Sequence, residues 1–215
     1  MRRSSAIFLL AVPVLALPLL AVSGADKPSP AAQVDARPPQ TEAPAYTEEG
    51  KLRLPSSYRE WVYLTTGLDM SYIPKPGTAG HSMFDNVFVN PASYRSFQQT
   101  GTWPDGTTLV LEVRGAETGT SINKRGHTQT AEVMGLEVHV KDAKLPGGWG
   151  FFEFDGPSPA KLVARPADCY SCHEQHAAVD TTFVQFYPTL LPLARQKNTL
   201  SPAFVKENAA TVTNP

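Results

Sequence analysis

Cys169 and Cys172 are the only two cysteines of the 215-residue chain, and His173 follows the second directly. Two thiols at this spacing reach the two vinyl groups along one edge of a haem and form thioethers, which brings the adjoining imidazole beneath the iron as its proximal ligand. Three other chemistries share the spacing. A structural zinc site needs about four ligands, and the chain has no second Cys pair. A thioredoxin-like redox pair opens a helix after a strand early in a βαβ unit, whereas this pair lies near the C-terminus. A disulfide between residues three apart closes a tiny, strained loop. The sequence therefore predicts one covalent haem c, with its iron, on Cys169, Cys172 and His173.

The position of the motif carries further information. Met1, Met70, Met83 and Met134 all precede it, whereas small electron-carrying cytochromes c place the motif early and an axial Met downstream. That order favours a five-coordinate iron with an open side for small ligands. Met83 or a histidine folding back would instead complete a six-coordinate electron carrier. His176 reads as a surface or propionate neighbour, His81 and His127 as solvated loop residues, and His139 as a strand residue.

The elements that must position the motif are punctuated clearly. Ser57 and Glu60 form a capping box, which predicts a short helix from Tyr58 to near Gly67. Asn90 as N-cap, Pro91 at the first helical position and Gly101 past the end frame a second helix. Thr107–Val113 alternates as a strand after the Pro104-Asp105-Gly106 turn. Asn86–Val89, Val133–Lys141 and Trp149–Phe154 are three further strands, with Pro146-Gly147-Gly148 turning the chain between the last two. Residues 115–130 read as a mobile loop. Asp168 caps a short helix over the cysteines, and Asp180 another through Tyr187. Consecutive strands with short turns imply an α+β domain: a central antiparallel sheet, a few short helices, and C-terminal helices against the sheet.

Bulk properties set the boundaries. Residues 1–25 read as an export signal, with Arg2 and Arg3 before an apolar run from Ala6 to Val22 and small residues after it. Pro13 and Pro18 interrupt that run, which suits a signal better than an uncleaved anchor. Residues 26–48 read as a Pro-rich disordered linker, 49–196 as the folded domain, and 197–215 as a fraying C-terminal tail. Export implies the periplasm. A net charge of −1 without any run of Lys or Arg argues against nucleic acid or an anionic membrane surface as a partner.

Several motifs together resemble the cytochrome P-460 family. They are Ser57-Tyr58-Arg59-Glu60-Trp61-Val62, Val87-Phe88-Val89-Asn90-Pro91 with Tyr94, Asp105-Gly106-Thr107, Gly135-Leu136-Glu137, Trp149-Gly150-Phe151-Phe152, and Cys169 to His173 with Phe183 to Pro188. The resemblance spans about residues 49–195. It implies a periplasmic homodimer with a largely antiparallel sheet, and a haem between the sheet and the C-terminal helices. Its best-known members oxidise hydroxylamine, with or without nitric oxide, toward nitrous oxide, and a periplasmic electron-transfer partner is an expectation for this chain. Those members bond a lysine to the haem macrocycle from the strand after the Asp-Gly-Thr turn, and that position is Leu111 here. Leucine cannot form the bond. The related branch without it, cytochrome c′-beta, binds nitric oxide and carbon monoxide at an apolar distal face, which Leu111 fits, with Phe84 as a weaker candidate for the same wall. Glu137 matches the family's proton-transferring carboxylate, although alternation alone puts it with His139 and Lys141 on a polar face. Three functions stay open: a binder of nitric oxide or related nitrogen species, a hydroxylamine oxidoreductase, and an electron carrier.

Overall fold

The computed structural model describes residues 43–72 and 82–212. The expected export signal, most of the linker and His81 lie outside these residues. Five antiparallel strands, β1 (Val62–Leu68), β2 (Met83–Val89), β3 (Thr108–Glu117), β4 (Thr128–Lys141) and β5 (Trp149–Phe154), lie in the sheet in chain order. Helix α1 (Pro91–Thr100) bridges β2 and β3, and α2 (Asp168–His176), α3 (Leu191–Lys197) and α4 (Pro202–Val212) follow the sheet. The architecture is α+β, as the strand-and-turn pattern predicted.

The pairing register decides which side chains share a face. Val87, Leu111, Glu137 and Glu153 lie side by side across β2 to β5, and Val89, Leu109, His139 and Phe151 form the adjacent row. Strand residues alternate in direction, so the odd-numbered members of β2 to β5 point to one face and the even-numbered to the other. Both faces are packed. The odd face carries Val89, Leu109 and Trp149 against Val179, Val184, Leu190, Ala194 and Phe204 of the C-terminal segment. The even face carries Val110, Val138 and Phe152 against Leu52, Tyr58 and Ala160. Each Val, Leu or Phe among these contributes about 1.5–3 kcal/mol on burial.

Local sequence explains most of the elements. α1 starts at Pro91 and ends where Gly101 adopts φ 77°, a left-handed cap that glycine accommodates without a Cβ clash. Asn90 does not cap its own helix; its Oδ1 accepts from the Thr108 amide at 2.9 Å and moors α1 to β3. Phe97 and Trp103, both buried, pack with ring centroids 4.3 Å apart beneath it.

Six expectations need correction. Asp168 does not cap the helix over the cysteines; it is that helix's first residue, after Ala167 as N-cap. The capping-box segment makes only one 3-10 turn, Tyr58–Glu60, with no side-chain cap bond from Ser57. The next residues, Val62 to Leu68, are rich in β-branched side chains and pair with β2 as an edge strand. The loop expected over 115–130 shrinks to 118–127, because β3 and β4 extend into it. Asp180 caps no helix: it takes φ 52°, and only Val184–Phe186 coils, as a single 3-10 turn. The described end of the linker is packed, with Tyr46 bridged to Leu52 and its ring against Phe152. The C-terminal segment is not a frayed tail, since Pro202–Val212 forms α4 and buries Phe204. No helix among the described residues is long and apolar enough to cross a membrane.

Candidate functional site

α2 positions the Cys-x-x-Cys-His motif, and Tyr170 fastens α2 to the sheet. Tyr170 is buried, donates its hydroxyl to the Val163 carbonyl at 2.8 Å, accepts from the Phe151 amide at 3.4 Å, and stacks beneath the Arg165 guanidinium at 3.9 Å. Residues three apart share a helix face, so with Tyr170 turned inward Cys169 and Cys172 lie together on another side. Both are free and half-buried. Burial pushes the Cys169 thiol up, assisted by Glu153 and Glu137.

His173 projects into a cavity of about 340 Å³ on the odd face of the sheet. Val87, Leu109, Leu111 and Val113 form its floor with Glu137 and His139, while Phe183, Phe186 and Tyr187 form the opposite wall. Met70, Tyr72 and Met83, all well exposed, stand at its mouth. The His173 ring lies 4.1 Å from Phe183 and 4.7 Å from Phe151 by ring centroids. Its Nδ1 is 2.7 Å from the Thr181 carbonyl oxygen. A carbonyl only accepts, so Nδ1 carries the proton and Nε2 holds a free lone pair. Burial lowers the His173 pKa against the contrary pull of that hydrogen bond, which keeps the ring neutral as a metal ligand requires.

Glu137 resolves the conflict between alternation and resemblance. It has a large accessible surface, but that surface lines the cavity. Burial raises its pKa first, and the neighbouring charges of Glu153 and Asp85 add to the rise. Asp85, two residues from Val87 on the same face, also lines the cavity and is raised by burial and by Asp69. His139 stacks on Phe151 at 3.9 Å, and burial, then the proximity of His173, hold its pKa well below the usual range.

The predicted site residues thus separate into groups. Leu111, Glu137 and His173 line one cavity; Cys169 and Cys172 sit on the helix that supplies His173 without lining it themselves. Phe84 is excluded, because in β2 it shares parity with Asn86 and Phe88 on the opposite face. Asp85, His139 and Thr181 escaped sequence reading. Asp85 shares parity with Val87 and Val89, a signal that gains meaning only once the cavity face is known.

A haem fits these residues on the structure's own terms. The cavity is walled mainly by aliphatic and aromatic side chains, with Asp85 and Glu137 among them, it presents an imidazole with a free Nε2, and two thiols precede that imidazole on one helix. Among the described residues no group of three His, Cys, Asp or Glu could hold a bare metal ion, so nothing there completes a zinc site around the cysteines. His173 would hold the iron and Cys169 and Cys172 the macrocycle.

An open antiparallel sheet sets this domain apart from helical cytochromes, and its site has the requirements of haem c. The class is a sheet-based c-type haem cytochrome. The cytochrome P460 family model matches residues 55–184, and the chain belongs to that family. No curated protein matches the chain.

Proposed function

We propose that this is an exported, periplasmic monohaem cytochrome, with one covalent haem c, that binds nitric oxide or a related small nitrogen species at a five-coordinate iron. The group supplies an iron with one open position; the chain decides what approaches it. The carrying observation is the apolar floor that Leu111 forms with Val87 and Val113 beside the His173 end of the cavity. Leucine here cannot bond to the macrocycle, and an aliphatic wall disfavours charged or strongly hydrated ligands while admitting diatomic gases.

The rival sixth ligand is poorly placed. His173 contacts His139 and Phe151, in the row of Leu109, whereas Met83 pairs with Gly115. Six residues of β3 separate those rows, roughly 20 Å at about 3.4 Å per residue. Met83 stands at the mouth, exposed.

One observation favours a second reading, hydroxylamine oxidation with an external electron acceptor. Glu137 is the cross-strand neighbour of Leu111 in the cavity floor, and burial, with the charges of Glu153 and Asp85, raises its pKa, which suits a group that holds a proton for exchange with a bound ligand. Optical spectroscopy separates the readings. A high-spin ferrous spectrum that shifts on adding nitric oxide is expected; a low-spin spectrum unresponsive to carbon monoxide overturns the proposal in favour of an electron carrier. Steady hydroxylamine turnover with an added oxidant, abolished by Glu137→Ala, would select the oxidoreductase. The family resemblance also supports a homodimer, for which sedimentation should give twice the mass of the mature chain.

A further inference from the structure

We infer that β4 holds the loop beneath His173 in a clamp, through the Lys141–Asp180 ion pair and the His139–Thr181 contact, and that this clamp sets the strength of the His173 ligand. The inference rests on His173 holding the iron.

The loop is gripped from several sides. Lys141 Nζ lies 3.0 Å from Asp180 Oδ2, donates to the Trp103 carbonyl at 2.7 Å, and sits 5.5 Å above the Trp149 ring. Thr181 Oγ1 is hydrogen-bonded to His139 Nε2 at 3.3 Å. Thr182 Oγ1 accepts from Trp103 Nε1 at 2.8 Å and donates to the Val179 carbonyl at 2.8 Å. Between these anchors Asp180 adopts φ 52°. A non-glycine residue stays in that left-handed region only where its surroundings hold it there. The result is one fixed carbonyl, that of Thr181, directed at His173 Nδ1 at 2.7 Å.

That carbonyl is the outer-shell partner of the ligand. A close, well-aligned acceptor draws the Nδ1 proton and makes Nε2 more basic, which strengthens its bond to iron and favours the oxidised state. His139 and Lys141 follow Glu137 at alternate positions of β4 and share its face. One strand thereby presents an acid to the open part of the cavity and braces the histidine at its other end. The alternation that suggests a solvated polar face is, on this reading, the working face of the site.

Asp180→Asn is the discriminating variant, because asparagine tolerates the left-handed conformation and only the charge is lost. His139→Phe keeps the stack on Phe151 and removes the Thr181 contact. Holoprotein carrying either substitution should keep a full complement of haem by the pyridine haemochrome assay. Its iron–histidine stretching band should fall in ferrous resonance Raman spectra and its reduction potential should rise. Unchanged band and potential in Asp180→Asn, with haem content intact, overturns the clamp whether or not His139→Phe folds. A parent protein that is low-spin and silent toward carbon monoxide would instead sink the gas-binding function, while the potential shift of Asp180→Asn still reports on the clamp.

Discussion

Leu111 and Glu137 are neighbours across β3 and β4, so the chemistry of one position is readable at the other. Placing an ammonium there by Leu111→Lys puts opposite charges in a cross-strand pair, an arrangement that contributes roughly 0.2–1 kcal/mol. If the family's lysine position is Leu111, the holoprotein of this variant should show a red-shifted Soret band and haem that remains on the chain after thioether cleavage; an unshifted band would put that register in doubt. Glu137 makes a second, independent prediction through its raised pKa. The folded state keeps the proton to higher pH than the unfolded chain, so stability falls as pH rises from the ordinary glutamate value toward the raised one, and the ionised side chain is a cost at neutral pH. Glu137→Gln should therefore melt higher than the parent at pH 7 and no differently near pH 4 in a series of thermal melts. Equal melting at both pH values would mean that Glu137 is solvated. The sequence could not decide this, because alternation groups Glu137 with His139 and Lys141, and three polar residues on one face read as facing water. Glu112 is the converse case on the other face. It is buried, accepts hydrogen bonds from Tyr58 and Arg114, and lies 2.5 Å from Arg59. Burial works to raise its pKa, but the Arg114 and Tyr58 bonds and the two arginine charges outweigh it.

The helices and strands differ in how openly the sequence announces them. α1 has proline at its start and glycine past its end, and β5 is a run of aromatic residues after a Pro-Gly-Gly turn, so both are legible. β1 is not, because the Ser57–Glu60 capping signal is strong and local, whereas the pairing of Val62–Leu68 with β2 is a tertiary fact. α4 is hidden for a related reason: its sequence is weakly amphipathic, and it is held by docking. Ser201 Oγ donates to the Ala177 carbonyl at 2.6 Å, the Ser201 amide donates to the Ala178 carbonyl at 2.8 Å, and His176 Nδ1 lies 3.2 Å from Glu207 on the far side. These bonds attach α4 to the end of α2, one turn beyond His173. A frayed tail could be removed without effect. Docked α4 cannot: Phe204→Ala should destabilise the domain by about 3 kcal/mol, a fall in Tm of roughly 10 °C for a domain of this size, and truncation before Pro202 by at least as much. A truncated chain that melts like the parent would show α4 to be dispensable.

At the scale of the whole molecule, the sheet separates two cores of unequal completeness. The even face closes on Leu52, Tyr58 and Phe152, all nearly or fully buried, and leaves little for a cofactor to add. The odd face closes around Phe97, Leu109 and Leu190 but opens into the cavity of about 340 Å³ beside them. That asymmetry follows from residue size and register. Leu109 packs in the same core as Phe97, while farther along β3 Leu111 and Val113 line the cavity, with Phe183, Phe186 and Tyr187 among the described residues opposite them. Apolar side chains left facing a void lose both the hydrophobic transfer and the dispersion contacts that a filled space provides. A haem seated there would supply them, and anything bound to the folded state alone raises its stability. The chain produced without its first 25 residues in a cell lacking haem-attachment machinery should therefore fold around the even core yet melt at least ~10 °C below the haem-loaded protein. It should also bind an apolar dye such as ANS, as proteins with exposed apolar surface do, and lose that binding once haem is attached to Cys169 and Cys172. Matching melting curves for the two forms would mean that the odd-face cavity closes by itself, and the haem would then have to lie outside it.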